Sequence, residues 1–232
     1  DVPARISPFS ALLNLLFSRK PYNAVRFISG TFERELKKIL QANEFDIIQL
    51  EGLYVCPYIP LIREYSKAKV VYRAHNIEHE IWSRTAIMAK GLEKWYMKIL
   101  SNRIKQFELE LLNKYDLLVP ITERDGTLLD KLGNIKPRHV SQTGIDSSVL
   151  VPNSKNLVHP TLFHIGSLEW APNQEGLLWF LEECWPAINK KYPDLQFFIA
   201  GRNAPDWFQK KMNLPNVVFL GEIQDAYEFI NS

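Results

Sequence analysis

No apolar run in this sequence comes near the roughly 20 consecutive residues that carry a helix across a bilayer, because Lys, Glu or Arg interrupts each one. Cysteine is scarce as well. Cys56 and Cys184 stand in unrelated apolar segments without metal-ligand spacing, which argues against a disulfide framework and reads as two structural thiols in a reducing, cytoplasmic compartment. Charge of one sign is also missing. The 28 basic and 26 acidic residues leave a formal net charge of +2, too little for a nucleic-acid binder, and no basic stripe is interleaved with aromatics. The common catalytic signatures are absent: there is no Gly-Lys-Ser/Thr phosphate loop, dinucleotide glycine fingerprint, Gly-x-Ser-x-Gly elbow or His-Glu-x-x-His zinc helix. Nor is there a signal peptide, short-period repeat or low-complexity tract.

With 46% hydrophobic and 23% charged residues, the composition is that of a globular protein. From Phe45 onward, short β-branched runs alternate with longer stretches of helical period, the pattern of βαβ units around a parallel sheet. Residues 45–51, 69–75, 116–122 and 138–143 form a first group of predicted strands, and 161–166, 195–201 and 217–221 a second. Between the groups, Ser147 to Pro160 holds two prolines, Asn and Ser without periodicity, a linker composition. The predicted organisation is a first Rossmann-like domain over 1–150, a linker over 151–160 and a second domain over 161–232. A long helical insertion is expected from about Glu78 to Asn113, broken near Gly91. Residues 173–192 place Leu177, Leu178, Leu181, Cys184, Trp185 and Ile188 on one stripe of an amphipathic helix. Neither group makes a complete doubly wound sheet, so both ends of the sequence read as cut.

The stretch Ala11 to Lys20 is apolar with a basic end. It fits an ordinary core-facing helix, the commoner case, or an interfacial helix in peripheral contact with an anionic membrane.

In open α/β sheets, ligands bind beyond the carboxyl ends of the strands. The first group ends in Glu51-Gly52, His75-Asn76, Thr122-Glu123 and Thr143-Gly144, and the second in Gly166-Ser167, Gly201-Arg202 and Gly221-Glu222. Three successive strands ending in Gly allow close approach of a ligand to the backbone, which suits a phosphate-bearing molecule, although turns need such residues in any α/β protein. His75 and His79 stand four apart, but a strand end is expected to fall between them, which removes a shared helix face and argues against a metal site.

Several segments together resemble glycosyltransferases of family 4, the group 1 transferases of GT-B fold, in the type that builds bacterial polysaccharides. They are Leu50-Glu51-Gly52, Tyr72 to Trp82 with its His75-Asn76-Ile77-Glu78 core, Ile121-Thr122, Thr143 to Asp146, and Phe163 to Asn173 with Gly166-Ser167 and Trp170-Ala171-Pro172-Asn173. The resemblance runs from about Pro21 to the end. It implies two Rossmann-like domains facing a cleft and retaining transfer of a sugar from a nucleotide-diphosphate donor to a glycan or lipid-linked acceptor in surface polysaccharide assembly. No metal or other cofactor is implied. The implied place is the cytoplasm, at the inner face of a membrane. His75 matches a strand-end His that faces the donor sugar, and Glu51 is a separate catalytic candidate. Gly166, Ser167, Gly201 and Arg202 fall on the donor side, and Asn76, Glu78, Thr122, Thr143 and Gly144 on the acceptor side.

The sequence also departs from the family. Where many members carry Arg and Lys after the glycine matching Gly166, this chain has Ser167, Leu168, Glu169 and Trp170. The family's paired glutamates lie beyond the last residue. Glu175 and Glu183 imitate their spacing from within the amphipathic helix, the wrong context for that role. A nucleotide-sugar epimerase of the same fold, or a noncatalytic interaction module, remains the alternative.

Overall fold

The computed structural model describes residues 7–148 and 161–230, and the linker expected at 151–160 lies outside them. The chain divides into two compact units, residues 1–144 and 145–232.

Unit 1 opens with α1 (Pro8–Phe17), α2 (Tyr22–Val25) and α3 (Gly30–Ala42), followed by β1 (Ile47–Glu51). A 3-10 turn (Leu53–Tyr58) and α4 (Ile59–Tyr65) return the chain to β2 (Lys69–Ala74). The expected helical insertion is a hairpin of α5 (Glu78–Met88) and α6 (Gly91–Leu111), and it breaks at Gly91, whose φ is +56°. β3 (Leu117–Pro120) and α7 (Glu123–Lys131) complete the unit. The three strands pair in parallel in the order β1-β2-β3, with Glu51 opposite Arg73 and Ala74 opposite Pro120. Leu50, Val70, Tyr72 and Leu118 of the sheet pack with Leu53, Cys56 and Ile62 of the β1–β2 crossover and with Leu100, Ile104, Phe107 and Leu111 of α6. Burial pushes the Cys56 thiol up to about 12, as befits a structural cysteine.

The fourth expected strand, 138–143, is corrected to an extended segment with one bridge, Arg138 to Leu118. It pairs through the main chain, Leu118 N–H donating to Pro137 O and the N–H groups of His139 and Ser141 donating to Leu118 O and Pro120 O. Pro137 has no N–H to give, and among Arg138, His139, Val140, Ser141 and Gln142 only Val140 is apolar, so little drives regular strand formation.

Unit 2 holds β4 (Thr161–Ile165), β5 (Gln196–Ala200) and β6 (Val217–Gly221), parallel and in that order. The amphipathic segment after β4 folds as α8 (Ala171–Trp179), a π turn (Phe180–Cys184) and α9 (Trp185–Lys191). Pro186 explains the interruption of what sequence read as one helix: it offers no N–H to the turn before it, and Trp185 N–H reaches back five residues to Phe180 O. Glu183 falls within the π turn, whereas Glu175 lies in α8. Leu177, Leu181 and Trp185 keep one buried stripe against Phe197 and Ile199, closed by Phe208 and Met212 around α10 (Asp206–Lys211). α11 (Ala226–Ile230) is the last described element.

α1 does not behave as the core-facing helix that was the commoner expectation. None of its residues is buried, and Phe9, Leu12, Leu13, Leu16 and Phe17 are exposed.

Candidate functional site

The carboxyl ends of β1 and β2 bring ionisable groups together in unit 1. Glu51 is the last residue of β1, and its carboxylate meets His75 Nε2 at 2.5 Å just past the end of β2. Arg73 stands beside Glu51 in the sheet register, its Nε 3.7 Å from Glu51 Oε2, and Gln49 donates to the other carboxylate oxygen. The His75 imidazole, helped by Gln49 and Arg73, holds the Glu51 carboxyl below the usual carboxylate range. Both side chains of the pair are about half exposed, 48% for His75 and 52% for Glu51, so the pair is open to a ligand. Gly52 follows with φ +91° and ψ 167°, a conformation essentially reserved for glycine, and its N–H donates to Arg73 O. That turn ends β1 sharply enough to leave Glu51 beside His75.

Behind this pair lies a second, drier cluster. Glu78 opens α5 and accepts from Tyr54 at 2.9 Å, and burial raises its pKa. The carboxylate of Glu108, only 2% exposed, is bonded to His79 Nδ1 and accepts the Glu78 N–H at 3.2 Å, while Ser101 Oγ donates to His79 O. β2 ends at Ala74 and α5 starts at Glu78, so His75 and His79 do straddle a strand end. His79 is thus a tie between α5 and α6, while His75 faces outward. Among the described residues no group of three or more His, Cys, Asp or Glu is placed to hold a metal ion.

The remaining acceptor-side residues are dispersed. Asn76 is half-buried between His75 and α5. Thr122 is the N-cap of α7, its Oγ1 accepting from Asp125 N–H at 3.0 Å, so its hydroxyl already has a structural partner. Thr143 and Gly144 are exposed beyond the extended 138–143 segment and are not drawn to the Glu51–His75 pair by any bond among the described residues.

In unit 2 the strand ends are tied mainly by backbone. Gly166 N–H donates to Ala200 O, Leu168 N–H to Arg202 O, and Gly201 N–H to Gly221 O. Gly201 is required by close approach: a Cβ there would stand 2.0 Å from Gly166 O. The amides of Asn173 and Gln174 donate to Ser167 O and Leu168 O, fastening the β4–α8 loop to the start of α8. Gly166, Ser167, Gly201 and Arg202 are therefore brought side by side at one sheet end. Ser167 Oγ donates to Glu169 at 3.4 Å, which puts an acid where a diphosphate site favours a cation. Glu175 stands outside the first turn of α8, which carries no acid, and so adds none there.

Arg73, Tyr54 and Glu108 were not picked out from sequence. Glu108 left a signal: it falls on the stripe of Ile104, Phe107 and Leu111, and an acid on an apolar face needs a buried partner. Arg73 left none, since its nearness to Glu51 depends on the strand register.

Residues 159–232 match the family described as glycosyl transferases, group 1. No curated protein sequence matches the chain significantly. Among solved structures, a sucrose-phosphate synthase from Thermosynechococcus elongatus is similar at TM-score 0.63 and 13% identity, over 86% of this chain and 50% of that one. A trehalose-6-phosphate synthase, solved in a study of glycosyl transfer with retention, gives 0.57 and 12% over 99% and 61%. S. aureus TarM, solved as a variant with fondaparinux, α-GlcNAc-glycerol and UDP, gives 0.54 and 14% over 87% and 37%. The fold is that of the GT-B glycosyltransferases. The chain spans roughly half the length of these structures, between 37% and 61%.

Proposed function

We propose that the protein is a retaining glycosyltransferase that moves a sugar from a nucleotide-diphosphate sugar to a glycan or lipid-linked acceptor in bacterial surface polysaccharide assembly, on the cytoplasmic side of a membrane. The observation that carries this reading is that the segment matching group 1 glycosyltransferases contains the sheet end where Gly166, Ser167, Gly201 and Arg202 stand together. In the reaction the bond from the anomeric carbon to the diphosphate oxygen breaks and a bond to an acceptor hydroxyl forms on the same face. The nucleotide diphosphate leaves with the electron pair, and the proton of the acceptor hydroxyl passes to the departing diphosphate.

Negative charge grows on the leaving diphosphate, so fixed N–H groups and a cation stabilise the transition state more than the ground state. The Gly166 and Gly201 N–H groups already donate to Ala200 O and Gly221 O, so in unit 2 that role falls to the Ser167 and Arg202 N–H groups and to the Arg202 guanidinium, with no metal. In unit 1 the Glu51–His75 pair addresses the sugar, with Asn76, Glu78, Thr122, Thr143 and Gly144 on the acceptor side. Transfer leaves Glu51 to orient the imidazole, as a carboxylate partner fixes the tautomer of a working His.

The Ser167–Glu169 contact favours a second reading, a noncatalytic interaction module with weakened donor binding. Calorimetric titration with UDP, GDP and their sugars separates the two. Micromolar binding of one nucleotide is expected, with His75→Ala weakening the nucleotide sugar while leaving the bare nucleotide unchanged. Absence of nucleotide binding by the full-length protein would overturn the transferase reading. Products formed without an acceptor would instead indicate an epimerase.

A further inference from the structure

Unit 1 carries two apolar surfaces that its core does not use. One is α1, with Phe9, Leu12, Leu13, Leu16 and Phe17 in solvent. The other is the tip of the α5–α6 hairpin, where Ile87, Leu92 and Trp95 are 67%, 86% and 55% exposed. The two surfaces are mechanically joined. Arg103 of α6 donates to Asn14 O at 3.2 Å and Leu15 O at 2.9 Å, closing the carbonyl end of α1. Leu92 precedes Arg103 by three turns of the same helix, roughly 16 Å along the axis and within about 20° of the same face. The α6 face that holds α1 therefore runs on to the exposed tip.

Both surfaces are bordered by cations. Arg19 and Lys20 follow α1, and from Ser83 to Asn102 Arg84, Lys90, Lys94 and Lys98 stand against a single acid, Glu93. Arg84 pairs with Glu80, but the three lysines form no ion pair among the described residues. Between α5 and α6 lies a recess of about 450 Å³ whose polar lining is Ser83, Lys94, Lys98, Ser101 and Asn102. Ser101 Oγ already donates to His79 O, which leaves the Ser83 hydroxyl, the Asn102 amide and two ammonium groups as the donors a phosphate takes.

This combination selects the occupant. The core of a protein interface is depleted in lysine, and burying unpaired ammonium groups under a protein segment is costly. A bilayer surface has no such conflict: Trp and Leu enter the headgroup region while lysines remain at the phosphates. We propose that α1 and the α5–α6 tip form one docking face for an anionic phospholipid surface. Leu92, Trp95 and the apolar face of α1 enter the interface, and Lys90, Lys94 and Lys98 contact lipid phosphates. The face uses no residue of either strand-end site, so it stands whether or not the protein transfers sugar.

The test is co-sedimentation of the chain with vesicles of phosphatidylcholine containing roughly a quarter phosphatidylglycerol, against pure phosphatidylcholine. With about 1 kcal/mol per lysine near an anionic surface, Lys90→Gln/Lys94→Gln/Lys98→Gln is expected to lower the partition coefficient roughly a hundredfold on the anionic vesicles. Leu92→Glu/Trp95→Glu is expected to lower it at least about tenfold. Lys94 is half-buried and the other four positions are exposed, so circular dichroism and thermal melts of both variants should match the parent, as should nucleotide titrations. Equal binding to both vesicle types, no binding to either, or variants that bind like the parent would overturn the proposal. Self-association of the parent that Leu92→Glu/Trp95→Glu abolishes, without vesicle binding, would assign the face to a second copy instead.

Discussion

Replacing Gly201 by Ala is expected to destabilise unit 2 selectively. The added Cβ would sit 2.0 Å from Gly166 O and 2.7 Å from Leu168 Cγ. Close carbon–oxygen contacts lie at about 3.3–3.6 Å, so one partner must retreat by more than about 1 Å. Neither is free to move: Leu168 is fully buried, and Gly166 and Leu168 N–H donate to Ala200 O at 3.2 Å and Arg202 O at 3.0 Å. Overpacking costs about 1–3 kcal/mol, and each of the two disturbed hydrogen bonds adds about 0.5–1.5 kcal/mol, which gives roughly 2–6 kcal/mol in all. For a unit of 60–100 residues each kcal/mol moves the midpoint by about 4–8 °C, so a drop of roughly 10 °C or more is expected. Differential scanning calorimetry of the whole chain resolves the effect, because only the unit 2 transition should move. Gly176→Ala in α8 is the control: a Cβ there meets nothing within 4 Å, and Ala in a helix is favoured by about 0.5–1 kcal/mol. A Gly201→Ala transition within about 2 °C of the parent would refute the close-approach reasoning.

Further predictions concern unit 1. Glu108→Ala leaves His79 and the Glu78 N–H without their buried partner, and urea unfolding should show a loss of about 3–5 kcal/mol; a loss below about 1 kcal/mol would contradict a structural tie. Glu78→Gln retains an oxygen for Tyr54 but removes the carboxyl whose pKa burial raises from 4.5. The folded chain holds that proton to higher pH than the unfolded chain. Parent stability is therefore full below 4.5 and declines as pH rises through the elevated folded value. The variant should lose that decline, and an identical pH dependence in both proteins would count against it. Thr122→Ala removes the α7 cap and should cost about 1 kcal/mol by chemical denaturation; an unchanged midpoint would leave the hydroxyl available for another role.

The strands were legible because short β-branched runs bounded by turn residues leave little choice: the expected run at 217–221 is β6 itself, and 69–75 and 161–166 overrun β2 and β4 by a single residue. Segment 138–143 was misread because it lies against β3 through the main chain, with only Val140 to reward a sheet position. The π turn was not anticipated, although Pro186 sits in the sequence, because an apolar stripe survives a single widened turn. α1 shows a different limit. Periodicity reports that a helix has an apolar side, not whether the protein has anything to place against it. Of the candidate site, the strand-end residues followed from the rule that ligands gather beyond carboxyl ends. Arg73 required the register, and the separate duties of His75 and His79 required the packing of α5 on α6.

The two strand-end sites also differ in physical kind. In unit 1, titratable side chains meet one another: the half-exposed Glu51 and His75 stand beside the more buried Arg73. In unit 2 the loops are held by main-chain bonds and by amides spent on carbonyls, and the glycines admit no side chain between Gly166 and Gly201. A site of the second kind is ordered at folding, so the Ser167 and Arg202 N–H groups, which make no main-chain bond among the described residues, need no reorganisation when charge develops on a diphosphate. A site of the first kind can reorient its side chains as a sugar passes. The proposed assignment of sugar chemistry to unit 1 and diphosphate binding to unit 2 follows this difference, and it makes Arg202 decisive. With Glu169 beside Ser167, the Arg202 guanidinium is the cation at that strand end on which the leaving-group charge would depend.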